Sequence, residues 1–548
     1  MLLEIQSDVF KLDKTHVRPK ITFTDGLNVV LGESNAGNSI GKSLFLMIID
    51  YCFGGSDYHD KEIIRNNIYP KIGNHTIKFA FKFDEEIYYF SREYENSGSV
   101  NICDEDYKVT KTIGLDDFNN FLREKYQIKE TSFRGAVGRF VRDYLKGNID
   151  TIKPFKDFPS QSDQEQISYL IKLFEMFFPI KEAHTIANTL KENKDAISKA
   201  QKFELIHSIN KTKYNENLKT IASLKNRLEE LKEAVTKGDK SLDELTLQRI
   251  SDLTDQIKEF RQQKYAIQRK IKSIDSCLDK NSIQFEHKFN KLKDYFSDIN
   301  VQKLMDIESF HSSLTSILSD ELTSNKEKLQ ENLKLIDVQI LELQDELKKI
   351  KPQNQKIDLA SYDEYSEINS KIKRLETENE SYDNIAKVKD QYNKAVNDLK
   401  DLQKDINLTI ESKINDEIKN LTETYFPQGD AIPNLIIESP SKYHFSNPDD
   451  IGAGTTYKGI FLLDLSLMIL TKLPFVVHDS NLFKNLSDKR VESIFKIYKS
   501  IKKQSFVAFD RLSTYTKETQ DIIQKHTILT LSIDQRLFGM NFLEKNED

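Results

Sequence analysis

The sequence predicts an α/β head assembled from the N- and C-terminal segments of one chain, with a long antiparallel coiled-coil arm inserted between them. Three stretches predict it. Residues 27–50 read as an apolar strand, a polar loop and an apolar helix opened by Gly-Lys-Ser; apolar residues recur at heptad spacing from Tyr214 to Ile418; and residues 450–479 read as a glycine-led apolar helix followed by a buried strand that ends in an acid. The composition agrees. Across 548 residues there are only 18 glycines and 11 prolines, no tryptophan, and 30% charged residues, as long helices require. The predicted organisation is residues 1–195 as the first half of the head, 196–426 as the arm and 427–548 as the second half.

Within 27–50, Leu-Asn-Val-Val-Leu-Gly is followed by the loop Glu33-Ser-Asn-Ala-Gly-Asn-Ser-Ile40 and then by Gly41-Lys42-Ser43. That order suits a phosphate-binding P-loop. Backbone N–H groups at the helix start face a polyphosphate, Gly41 permits close approach, Lys42 brings a point charge and the Ser43 hydroxyl can ligate Mg2+. The spacing is irregular, because Ala36 stands where the first glycine is usual. Gly32 is read as that glycine, with about four extra residues in the loop. The set expected to line the phosphates is Gly32, Asn38, Ser39, Ile40, Gly41, Lys42, Ser43 and Leu44. A chance Gly-Lys-Ser in a surface loop is the bland alternative, and the flanking strand and helix weigh against it.

After the P-loop helix, residues 76–83 and 87–92 alternate apolar and polar, as half-buried antiparallel strands do. Residues 126–195 read as helical and irregular. Arg134, Arg139 and Arg142 there admit two readings, a phosphate-facing cluster or a solvated helix face, and the second is favoured.

The arm is legible from its periodicity. Tyr214, Leu218, Ile221, Leu224, Leu228, Leu231 and Val235 recur by three and four; Leu253, Ile257, Phe260, Ile267, Ile271, Ile274 and Leu278 do so once polar Lys264 is admitted. Leu329, Leu333, Ile336, Ile340, Leu343, Leu347 and Ile350 alternate strictly by four and three. Breaks at 237–241 and 351–356 fall at matching places on the way out and back. They predict an elbow, with the tip near 281–300 and a length of roughly 100 to 150 Å. Two independent helical bundles are the rival reading. A zinc hook at the tip is rejected, because only Cys277 lies nearby.

Past residue 426 the sequence turns globular. Residues 435–437 read as a strand, and Asp450-Ile-Gly-Ala-Gly454-Thr opens the apolar helix 460–470, a glycine-rich entry that suits an anion. Leu473-Pro-Phe-Val-Val-His478-Asp479 is then a buried strand ending in the acid that a Mg2+-orienting strand needs. Two more apolar runs, 505–510 and 527–532, close the pattern.

Bulk properties narrow the function classes. With 80 basic and 87 acidic residues the net charge is −7, so contact with nucleic acid requires a local patch. Three scattered cysteines exclude a disulfide framework and a four-cysteine zinc site. The first residues lack the basic start and apolar core of a signal peptide, and the most apolar segment, 460–477, is interrupted by Asp464, Lys472 and Pro474. A cytoplasmic protein with no membrane span and no membrane partner is expected.

A P-loop within the first fifty residues, a long coiled coil, and a glycine-led helix with an acid-ended strand near the C-terminus together resemble the SMC and RecN-like ABC ATPases. The stretched P-loop and the segment 473–483 look closest to the small YydD-type bacterial subfamily. The resemblance implies an ABC-type P-loop ATPase head that binds ATP and Mg2+ and forms a homodimer through its heads, the signature helix of each closing on the nucleotide of the other. It implies DNA as a partner and an operon-encoded effector or nuclease subunit, in anti-phage defence or DNA repair. Carried over by position, Lys42 and Ser43 match the Walker A pair, Asp479 matches the Walker B aspartate and metal ligand, and Gly454 matches a signature glycine, although Gly452 stands where a serine usually precedes it. Residues 485–488 sit at D-loop distance, and Asp510 lies where the switch histidine usually ends the next strand.

The largest departure is Ser480, where the family has the glutamate that positions the attacking water. Three explanations compete: another carboxylate such as Asp510 serves, hydrolysis is slow and ATP acts as a clamp, or the head is inactive. Slow hydrolysis is favoured, since phosphoryl transfer depends chiefly on positioning and electrostatics. The functional expectation is an ATP-dependent sensor or clamp for DNA. A coiled-coil scaffold that binds ATP structurally and recruits proteins without nucleic acid is the alternative.

Overall fold

The computed structural model describes residues 1–13, 16–33, 40–143, 146–202, 208–238, 244–279, 301–350, 359–447 and 452–540. Asn38 and Ser39, the predicted tip and most of the two predicted breaks lie outside these residues. The chain forms two compact units: a head of residues 1–191 and 391–548, and a second unit of residues 192–390.

In chain order the head strands are β1 (Leu2–Gln6), β2 (Ile21–Thr22), β3 (Leu27–Gly32), β4 (Thr76–Phe83), β5 (Glu86–Glu93), β6 (Ser99–Cys103), β7 (Val109–Gly114), β8 (Val141–Arg142), β9 (Asn434–Ser439), β10 (Lys442–Ser446), β11 (Phe475–His478), β12 (Gln504–Phe509) and β13 (Thr527–Leu531). The central sheet has the order β13-β3-β12-β11-β8, and every pairing in it is parallel. Its middle strands are apolar on both faces: all four residues of β11 and all six of β12 are buried, as a parallel sheet covered on both sides demands. Strand β3, from the N-terminal segment, lies between β12 and β13 from the C-terminal segment, so neither end could complete this sheet alone.

The second sheet, β2-β1-β4-β5-β6-β7, is antiparallel throughout. Helix α1 (Lys42–Cys52) buries every residue except Ser43. Just after it, Phe53 stacks on Phe475 with ring centroids 4.0 Å apart, and Gln504 clamps Leu2 by accepting from its N–H and donating to its C=O, both at 2.8 Å. Aromatic stacking of this kind adds about 0.5 to 1.5 kcal/mol beyond area burial.

Segment 126–195 is helical and irregular as expected and runs into the helix Phe177–Lys202, but its arginines do not form a solvated face. It contributes the short helix Phe133–Val137, strand β8 at the edge of the central sheet, and helix α2 (Asp163–Leu173), which starts with a Ser162–Glu165 capping box. Arg139 and Arg142 are buried, and Arg134 pairs with Asp50 at 2.8 Å. A two-residue strand containing an arginine carries no periodicity signal, which is why it escapes notice in the sequence.

In the second unit, helix α3 (Lys211–Gly238) packs Ile221, Leu228 and Leu231 against Ile368, Ile372 and Leu375 of helix α6 (Leu359–Tyr425). Helix α4 (Glu244–Asp279) packs Ile257 against Ile336 and Ile340 of helix α5 (Val301–Ile350). Partner numbers fall as residue numbers rise, Asn217 with Asn379, Lys225 with Glu376 and Arg227 with Glu364 in the first pair, Arg249 with Glu346, Lys264 with Asp337 and Asp275 with Lys326 in the second, so both pairs run antiparallel. Among the described residues, Leu218 departs clearly from the periodicity. Leu218 is 47% exposed, and Asn217 takes its place at 1%, donating to Asn379 Oδ1 at 3.1 Å. A buried amide pair of this kind sacrifices stability and fixes register. Among the described residues, no helix is long and apolar enough to cross a membrane.

Candidate nucleotide and metal site

The parallel sheet presents the C-terminal ends of its strands on one side, where ligands settle in open α/β sheets. Gly32 ends β3, Asp479 follows β11 and Asp510 follows β12. Register places Leu31 beside Phe509 and His478 beside Val507, so these ends are neighbours.

Residues 436 positions apart meet there. The Ser43 hydroxyl donates to Asp479, 3.0 Å from each carboxylate oxygen. Lys42 is nearly buried, and its Nζ lies 3.7 Å from Asp510 Oδ2. The lysine reaches there across Gly32: a Cβ on Gly32 would stand 2.7 Å from both Cδ and Nζ of Lys42. Gly32 therefore makes room for the lysine stem, which suits the role of first glycine assigned to it. Gly41 adopts φ 101°, a conformation side chains disfavour, and a Cβ there would lie 2.7 Å from Leu537 Cβ. Leu537 ties a C-terminal segment to the loop, its N–H donating to Ile40 O at 3.1 Å. The first turn of α1 holds no acid to repel an anion.

This donor set fits ATP and Mg2+. The ion binds hard oxygens with near-octahedral geometry and commonly takes one or two protein oxygens, with phosphates and waters supplying the rest. A hydroxyl and a carboxylate already in contact are such a pair, and Lys42 is the cation a β/γ-phosphate would need. Among the described residues no cluster of three or more His, Cys, Asp or Glu could hold a metal by itself. Ser480 donates its backbone N–H to Asp479 at 2.7 Å, and the Asn481 amide donates to the same carboxylate at 3.3 Å. Asp479 thus caps the turn Ser480–Asn485 while facing Ser43.

Gly454 lies elsewhere. It sits in the first turn of helix α7 (Ala453–Leu470), and a Cβ on it would stand 2.8 Å from the Asn485 carbonyl and 3.4 Å from Arg490 Nη1. Arg490 donates to Thr455 Oγ1 at 3.0 Å and pairs with Asp430 at 2.7 Å, and Asp430 also holds buried Lys458 at 3.2 Å. The signature-like turn and the segment around Asn485 therefore form one patch, set apart from the contacts of Lys42 and Ser43.

Behind Asp479 lies a charged core that the sequence reading did not anticipate. Arg142 grips Asp464 of α7 with two hydrogen bonds, Nε to Oδ2 at 2.9 Å and Nη2 to Oδ1 at 2.8 Å. His478 Nε2 meets Asp464 Oδ2 at 3.1 Å, and His478 Nδ1 bonds the Tyr498 hydroxyl. All four side chains are fully buried. Burial alone would raise the Asp464 carboxyl, but the Arg142 charge and bonds hold it below its ordinary range; burial pushes the His478 imidazolium down despite Asp464. His478 is thus a satisfied core histidine. Asp143, buried one residue past β8 and level with Asp479 across the β8–β11 pair, also escaped the sequence reading. Asp464 was visible only as an interruption in an apolar helix; a lone acid there must be paired, and that was the available signal.

A family described as "Uncharacterised protein conserved in bacteria (DUF2326)" matches residues 414–542, under a quarter of the chain. No curated protein matches. Among solved structures, the chain is similar to the Smc head domain with a coiled coil and joint from Pyrococcus yayanosii, at 12% identity and TM-score 0.42, covering 98% of this chain and 95% of that one. It is also similar to the Smc head with an extended coiled coil bound to the C-terminal domain of ScpA from Pyrococcus furiosus, at 12% identity and TM-score 0.35, with 98% and 94% covered. A third is the SmcHead bound to the C-winged helix domain of ScpA, at 9% identity and TM-score 0.39, with 98% and 95% covered.

Proposed function

We propose that this chain is an SMC/RecN-like ATPase, nearest the YydD-type subfamily, that binds ATP with Mg2+ in the site of Lys42, Ser43 and Asp479 and turns it over slowly. The observation that carries this reading is the 3.0 Å contact between Ser43 and Asp479, which brings the P-loop and the acid-ended strand into one site although a whole arm separates them in sequence. In this reading Lys42 leaves Asp510 to meet the phosphates, Ser43 and Asp479 orient the metal, and Gly41 and Gly32 keep the backbone clear. Mg2+ supplies charge neutralisation at the transferring phosphoryl group when bound. Ser480 contributes no carboxylate, so the attacking water is poorly ordered and turnover is slow.

Two heads would share two nucleotides, each presenting the Gly454 turn to the other, so that dimerisation follows nucleotide occupancy by mass action. The dimer would sense or clamp DNA through local basic patches and control an operon-encoded effector, in anti-phage defence or DNA repair. The test is binding of a fluorescent ATP analogue with Mg2+, followed by sedimentation with and without nucleotide. Wild type is expected to bind and dimerise, and Lys42→Ala to lose binding by at least a hundredfold. Ser480→Glu is expected to raise turnover. DNA affinity that falls steeply with salt separates the clamp from a scaffold without nucleic acid. Absence of nucleotide binding by wild type would end the reading.

A further inference from the structure

Resting on that nucleotide reading, we infer that Arg142, Asp464 and His478 are positioning residues for the metal-holding carboxylate of Asp479, through a closed ring of bonds that ties it to helix α7. The ring can be walked. From the Arg142 guanidinium it passes to Asp464 at 2.8 and 2.9 Å, from Asp464 to His478 Nε2 at 3.1 Å, and down the His478 side chain to its backbone. The next backbone N–H, that of Asp479, donates to Arg142 O at 3.1 Å and closes the circuit. His478 and Arg142 are register partners in parallel strands, so both side chains leave one face of the sheet toward α7. The following residue, Asp479, turns to the opposite face and meets Ser43. Each strand end is therefore held twice, once by its side chain and once by its backbone, and both ties oppose rocking of the peptide that carries Asp479.

The ring is closed from further sides. Arg142 Nη1 donates to Asn148 O at 3.1 Å and Nη2 to Pro154 O at 2.7 Å, which fixes the far side of the guanidinium. Tyr498, from helix α8 (Asp488–Ser500), fixes the other ring nitrogen of His478. Four segments thus contribute one side chain each to the network behind Asp479: β8, α7, β11 and α8. An apolar residue before Asp479 would fill the space, but it would leave the peptide orientation to packing and the strand's backbone bonds, without the side-chain tie to α7. Partners hydrogen-bonded directly to a metal ligand typically cost tenfold to a hundredfold in metal affinity when removed; this ring acts through the backbone of Asp479, so the lower end of that range is expected.

A purely structural role would look different, and a charge-free replacement separates the two. Buried ion networks can be exchanged for apolar groups of similar volume without loss of the fold, whereas removing one partner strands a buried charge. The experiment uses the full chain, a non-hydrolysable ATP analogue, and Mn2+ titrated as the metal. In Arg142→Met/Asp464→Leu and in His478→Phe, the Mn2+ midpoint is expected to rise about tenfold while metal-free affinity for the analogue stays within about twofold. Tyr498→Phe removes one oxygen only, and a rise of about threefold is expected; it supplies the readout if the larger changes prevent folding. A folded variant that melts lower, or as wild type does, yet keeps the wild-type Mn2+ midpoint overturns the inference. Failure of wild type to bind the analogue at all would instead strike the nucleotide reading, so the two failures are distinct.

Discussion

Two helices of the head begin with glycines, and they use them differently. At the start of α1, Gly41 holds a positive φ and Gly32 clears the path of Lys42, so the missing side chains open a space beside a cation, a hydroxyl and two acids. At the start of α7, Gly454 closes a space, lying against the Asn485 carbonyl with Arg490 alongside. Both turns read alike as sequence, a glycine-rich entry to an apolar helix. Only the first converges with the charged groups that a polyphosphate needs. The second is packed shut against the Asn485 carbonyl and Arg490; in the proposed dimer it would be the face presented to the other head.

The comparison breaks first at Gly41. Gly41→Ala must adopt an unfavourable φ and also displaces Leu537, so about 1 to 3 kcal/mol of local strain is expected, with loss of nucleotide binding by calorimetry. If binding survives, the glycine was not keeping the loop open. Gly32→Ala is the milder version, because the obstacle is a flexible lysine that can move aside. Weakening of about tenfold is expected, equivalent to about 1.4 kcal/mol, with stability nearly unchanged. Gly454→Ala meets a backbone carbonyl instead. Its expected signature is the reverse: nucleotide affinity of the single head changes by less than twofold, while ATP-driven dimerisation weakens several-fold in sedimentation. Equal losses in both assays would erase the distinction between the two turns.

How much of this was legible depended on whether a residue's role was local. Strand β3, helix α1, the apolar strands β11, β12 and β13 and the long helices α3 to α6 form where the periodicity of the sequence puts them, Leu218 apart. The Ser43–Asp479 pairing needed one more step, matching a hydroxyl to an acid at the end of a buried strand. What escaped was non-local or too short to be periodic. Strand β8 has two residues, Asn217 displaces a leucine from its seam because a partner amide waits across it, and Arg142 finds Asp464 across 322 positions. The arginine cluster was misread for the same reason: in sequence a charge implies water, and only the fold can show that a buried acid has been provided.

The opposite ends of the same two helices differ as well, each held by a cation from elsewhere, buried Arg92 for α1 and half-buried Lys503 for α7. Arg92 donates to Tyr51 O at 2.9 Å and Gly55 O at 2.7 Å beyond α1, and Lys503 donates to Met468 O at 2.6 Å and Thr471 O at 2.5 Å beyond α7. Both offset the partial negative charge of a helix end. Burial lowers both pKa values, but the Arg92 guanidinium stays charged, whereas Lys503 falls from 10.5 to about 8. Between about pH 8 and 10.5 the unfolded chain holds the Lys503 proton and the folded chain has shed it, so raising the pH through that window favours folding at this position. Lys503→Arg keeps the cap and removes the titration. Its difference in melting temperature from wild type is therefore expected to shift steadily against the variant from pH 8 to 10, by a few degrees at most. A difference that stays flat with pH would mean that the Lys503 ammonium is as well solvated as a surface lysine, and that the end of α7 is held in the same way as the end of α1.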